Sequence, residues 1–158
     1  MTSQDAALRR HVVELLRGHG AHSAYAEVVG SLEHGRCGER VSGSPHTLWR
    51  LLEHTRIAQW DILEFSRNPD HESPEWPEGY WPAGDAPGGR EVFEESRAAF
   101  LRELEEMAAL VADPARDLLA PLFPGVEATL LREALLLADH NAYHLGQMVL
   151  VLRAHEPS

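Results

Sequence analysis

Apolar residues recur at helical spacing in four stretches of the chain, and no strand-like alternation competes with them. The first stretch starts near Ser3, a candidate N-cap, and runs through AALRRHVVELLRG. Gly18 and Gly20 interrupt it, and the pattern resumes in AHSAYAEVVGSLE, as one kinked helix or two pieces. The second stretch, HTLWRLLEHTRIAQWDILEFSR, has Ser44 as candidate cap and Pro45 at the first helical position. Leu48, Leu51, Leu52, Ile57, Ala58, Ile62 and Leu63 form its apolar face, and Trp60 reads as core. The third runs over 91–112 with Phe93, Phe100, Leu101, Leu104 and Met107, and Asp113-Pro114 stops it. The fourth is LLREALLLADHNAYHLGQMVLVLRA, capped by Thr129. Four amphipathic rods bury their stripes most economically against one another, so the expectation is an all-α four-helix bundle, a single domain over 1–158.

Between the second and third rods lies the segment 68–90, NPDHESPEWPEGYWPAGDAPGGR. Its five prolines and four glycines forbid regular structure. Trp76, Tyr80 and Trp81 are costly aromatics for a plain connection. Two readings stand side by side: a binding loop or lid, and a crossover that pins its aromatics on the bundle.

The chain has 158 residues, with 44% hydrophobic and 25% charged positions, enough for a core without disulfides or structural metal. A net charge of -11 and the absence of a basic cluster argue against nucleic acid and anionic membrane as partners. No apolar run reaches a membrane span, and the start of the chain has no signal-peptide core. Cys37, the one cysteine, lies in HGRCGER, which reads as an exposed loop carrying a spare thiol. These features fit a cytoplasmic protein.

The fourth rod is apolar almost all round, yet DHNAYHLGQ puts two imidazoles into it. His140 and His144 share one helix face, one turn apart, a spacing suited to two ligands of one ion. There is no HExxH, since Asn occupies position 141. The pair alone also reads as two histidines hydrogen-bonded to backbone or to Asp61, Asp139 or Asn141. A third imidazole, His54, lies mid-way along the second rod in the inward row Thr47, Leu51, His54, Ala58, Asp61. Inward side chains on facing helices are how bundles assemble metal sites.

LWRLLEHTRIAQWDILEFSRNPDHESPEWPEGYWP and LLREALLLADHNAYHLGQMVLVLR together resemble the DinB-like four-helix-bundle metalloproteins, with looser similarity over residues 10–153. The resemblance implies metal ligands at His54, His140 and His144. It also implies an up-down-down-up order with a long crossover between the second and third helices. Relatives include transferases and isomerases that use low-molecular-weight thiols. Some sites of that group have Glu in place of one histidine of the helical pair, which this sequence does not.

Three neutral imidazoles suit zinc or nickel over magnesium or calcium, which prefer oxygen. Such an ion lowers the pKa of a water or thiol that reaches it. The reaction classes are therefore thiol S-transfer and metal-dependent hydrolysis, on a small-molecule substrate. A non-catalytic metal- or ligand-binding stress-response bundle is the competing class. Around the site, Asp61 is a candidate to orient a ligand ring, Gln147 to hold a water at the ion, and His22 to approach the site or merely pack. His11, His19, His34, His46, His71 and His155 have no sequence reason to be ligands. The apolar helix faces suit a homodimer.

Overall fold

A computed structural model describes residues 2–155. These contain five α-helices and no strand: α1 (Ser3–Leu16), α2 (Tyr25–Ser31), α3 (Leu48–Arg67), α4 (Arg90–Ala112) and α5 (Leu130–Ala154). None is long and apolar enough to cross a membrane. The first sequence stretch thus resolves into two helices, broken at Gly18 and Gly20. Gly18 sits at φ 72°, where an L side chain would also meet the Tyr25 ring.

The helix boundaries follow local chemistry. Thr2 rather than Ser3 caps α1, its Oγ1 accepting from Asp5 N at 3.2 Å. Thr129 caps α5 as the sequence predicts, accepting from Arg132 N at 3.2 Å. The start of α3 differs from expectation. Ser44 and Pro45 lie outside it, and Thr47 is the cap, accepting from Arg50 N at 3.2 Å. Ser44 instead closes a local turn, its hydroxyl donating to His46 O at 2.6 Å. Thr47 wins because its hydroxyl also donates to Asp85 O at 2.6 Å, tying the helix start to the 68–89 segment. A cap of this kind contributes about 1 kcal/mol.

Helix α3 packs against α4 and α5, and α1 packs against the same two, an arrangement that fits a four-helix bundle. Leu16, Tyr25, Val29, Leu51, Leu63, Phe93, Phe100, Met107, Leu137 and Met148 belong to one continuous core drawn from all five helices. Polar cross-links set the register. Gln59 Nε2 donates to Phe100 O at 2.7 Å, and Asn141 Nδ2 donates to Gln59 Oε1 at 2.9 Å, joining α4, α3 and α5 inside the core. The buried Arg9 guanidinium donates to Val111 O, Asp113 O and Arg116 O at 2.7–2.9 Å, fastening α1 to the end of α4.

Cys37 corrects the exposed-loop expectation. It is fully buried, its Sγ donating to His34 O at 3.0 Å and its carbonyl accepting from Trp49 N at 2.8 Å. The loop is polar around it, but the small thiol faces the core. Trp60 likewise lies outside the core cluster: it is partly buried, its ring centroid 5.2 Å from that of His71 with the planes 83° apart.

Glu103 of α4 is buried, and its Oε2 has no hydrogen-bond partner. Burial raises its pKa to about 7 from the ordinary 4.5. The folded carboxyl thus holds its proton up to about pH 7, while an unfolded one releases it near 4.5. Between those values the folded state binds more protons, so stability falls as pH rises through that window. Glu103→Gln is expected to flatten this decline and to raise stability above pH 7, measured by urea denaturation at a series of pH values.

Candidate metal centre

The inward row of α3 is buried throughout: Thr47, Leu51, His54, Ala58 and Asp61 are all under a tenth exposed. Helical periodicity therefore brings His54 to face α5. There the one-turn pair His140 and His144 meets it, His144 buried and His140 partly so. The Nε2 atoms of His54 and His144 are 3.1 Å apart, and those of His140 and His54 are 3.2 Å apart. Among the described residues this is the one group of three or more His, Cys, Asp or Glu whose ligating atoms all lie within 4.8 Å of one another.

The second nitrogen of each ring decides what faces the common point. His54 Nδ1 lies 2.8 Å from Tyr80 O. A carbonyl only accepts, so Nδ1 carries the proton and Nε2 presents a lone pair inward. His144 Nδ1 is 3.4 Å from Gln147 Oε1, a longer contact that favours the same tautomer. His140 Nδ1 is buried with no hydrogen-bond partner. Two lone pairs 3.1 Å apart repel each other unless a cation lies between them.

A proton is a poor candidate for that cation. Burial pushes the pKa of His54 and His144 down to about 4, and the neighbouring imidazoles push the same way. Burial lowers His140 too. Neutral rings with convergent lone pairs are the protonation state that metal binding needs. The donor set fits a divalent metal ion and leaves positions free for exogenous ligands.

The 68–89 segment supplies the outer support. Trp81 stacks on His54 with ring centroids 3.8 Å apart and planes 1° from parallel. His46 stacks on Trp81 in turn, at 4.4 Å. Asp61 does not touch His54. It accepts from Tyr80 OH at 2.6 Å and from His71 Nε2 at 2.7 Å. It therefore pins two points of the loop onto α3 and holds the Tyr80 carbonyl at His54. Tyr80 OH, raised to about 12 by burial and by Asp61, stays protonated and keeps donating.

Over the three rings opens a cavity of about 600 Å³, within the usual range for small-molecule sites. Ile62, Leu136, Trp76 and Tyr143 contribute its apolar wall, and the last two are 72% and 67% exposed. Gln147 lines it and touches His144, so its placement is that of a ring-orienting acceptor. His22 does not reach it. That ring is exposed in the turn between α1 and α2, bonded to Ser23 O at 3.0 Å. Tyr80 and Trp81 were legible only as aromatics of a candidate binding loop, and His46 and His71 carried no signal in the sequence.

The family model of the DinB superfamily matches residues 17–148, and the chain belongs to that superfamily. No curated protein and no solved structure matches it.

Removing the Tyr80 hydroxyl frees the loop that orients His54. Losing such an outer partner costs roughly 10–100-fold in metal affinity. Tyr80→Phe is expected to bind zinc about tenfold more weakly than the parent, and His54→Ala to lose tight binding altogether. Competition with a chromogenic chelator measures both.

Proposed function

We propose that this chain is a divalent-metal-dependent enzyme acting on a small molecule, with His54, His140 and His144 holding zinc or nickel, and that it is a thiol S-transferase. The convergence of three neutral imidazoles beneath an open, apolar cavity carries this reading. The ion, when bound, supplies a lowered pKa to a thiol or water that reaches it. The chain's own groups do the rest. Tyr80 O and Gln147 Oε1 keep the ring lone pairs aimed inward. Trp81 covers one face of His54 and limits water there. Ile62, Leu136, Trp76 and Tyr143 offer a surface to an apolar electrophile.

The chain's own candidate nucleophiles are engaged elsewhere, so the nucleophile is exogenous, and the resemblance to thiol-using relatives favours a thiol over water. Cys37 is sealed in the core with its thiol bonded to His34 O, so it does not serve as nucleophile. Asp61 is committed to Tyr80 and His71 and is not a free base. The nucleophile therefore enters from solvent. The helix order also supports the family pattern. Glu53, Gln59 and Arg67 of α3 meet Ser96, Phe100 and Glu106 of α4 in step, which reads as parallel. Arg9 and Arg17 meet Val111 and Glu105 in reverse order. His54 and Gln59 meet His144 and Asn141 in reverse as well, so we read up-down-down-up.

Elemental analysis of protein purified without a histidine tag is expected to find zinc or nickel. Metal-loaded protein is expected to consume an apolar epoxide or aryl halide only when a low-molecular-weight thiol is present. His144→Ala removes a direct ligand, so its rate should fall by at least the roughly 100-fold that losing an outer partner can cost, with its helical circular dichroism intact. Turnover without thiol would instead identify a hydrolase. Metal without turnover across the panel would identify a binding protein.

A further inference from the structure

A second cavity, of about 590 Å³, opens on the α4 side of α3. It shares no lining residue with the histidine cavity. Four carboxylates line it, Glu53, Glu91, Glu95 and Glu103, against the two guanidiniums of Arg56 and Arg102. Glu53 is already satisfied. Arg56 donates to its two oxygens at 2.6 and 2.9 Å, and Ser96 Oγ donates to it as well. Arg102 is 4.0 Å from Glu103, and its side chain is 53% exposed.

Glu103 stands apart. Its side chain is only 9% exposed, yet its Oε2 has no hydrogen-bond partner. A buried carboxyl oxygen without a donor is rare and costly in a native fold, and it marks the place where a donor is missing. A metal ion does not fit this place. No three of these carboxylates converge as the histidines do. The rest of the wall includes Trp60, Val92 and Ala99, and Val92 is 49% exposed. An aromatic ring in a wall with more carboxylates than guanidiniums suits a cation with an apolar body.

We propose that this cavity binds a small organic ammonium ion, its charged head donating to Glu103 and its apolar body lying against Trp60 and Val92. The site does not depend on the metal reading, since its residues lie on the other side of α3. The polar groups facing Glu103 are Arg56 and Gln59 of α3 and Arg102 and Glu106 of α4. On the α1 side, Arg17 is engaged by Glu105. Binding should strengthen as pH rises through about 7, where the Glu103 carboxyl gives up its proton.

Calorimetric titration of the full chain, stripped of metal, with benzylammonium tests this, with benzyl alcohol as the uncharged control. The expected result is one benzylammonium per chain, no heat from benzyl alcohol, and binding about tenfold or more weaker in Glu103→Gln. Trp60→Leu should weaken binding as well, and it carries the test if Glu103→Gln does not fold. Loading zinc on the histidines should leave the affinity unchanged. Absence of binding, or equal affinity in both folded variants, overturns the proposal. So does displacement by zinc, which would place the ligand in the histidine cavity.

Discussion

The hydrogen bond from His54 Nδ1 to the Tyr80 carbonyl governs the centre. It fixes one ring nitrogen as donor, and so leaves the other as a lone pair directed at His140 and His144. Burial keeps the rings neutral, which removes the proton that would otherwise relieve the crowding of those lone pairs. What remains is a cluster of three ring nitrogens close enough together to hold a divalent ion. The tautomer of one histidine thus links the packing of the bundle to its chemistry.

That bond exists only because a long irregular segment is held firmly. Asp61 gathers Tyr80 and His71 from it. Thr47 fixes Asp85 O, and Arg50 donates to Pro82 O at 3.1 Å. Between these anchors Trp81 lies flat on His54. The segment therefore crosses the bundle, and its Trp76, Tyr80 and Trp81 line the cavity. Helix α3 serves as the partition, with His54, Ala58 and Asp61 facing one cavity and Glu53, Arg56 and Trp60 the other.

The buried polar groups divide by how their neighbours were encoded. Thr129 capped its helix as read, because a cap bonds only a few residues away. Ser44 and Pro45 formed an equally good local signal and lost, because Thr47 had a distant partner in Asp85 that no window around position 45 contains. Asp61, a candidate to orient a ligand ring, is linked to His54 through Tyr80, whose hydroxyl it accepts from and whose carbonyl meets His54 Nδ1. Gln147, a candidate to hold a water at the ion, lines the histidine cavity with its Oε1 3.4 Å from His144 Nδ1. Cys37 looked exposed because its neighbours are polar, while the fold turned its one apolar side chain inward.

The sequence by itself determined the rods, their inward faces and the three histidines that meet there. These properties repeat every few residues, and helical geometry converts such spacing directly into a shared face. Membership of the DinB superfamily likewise rests on the order of residues along the chain. Only the tertiary structure decided which atoms orient the imidazoles, which aromatic covers them and where Glu103 is left without a donor. Those outcomes rest on backbone carbonyls and on contacts between residues far apart in the chain. A carbonyl is the same at every position, so nothing in the residue order distinguishes the one at Tyr80 until the fold brings it to His54.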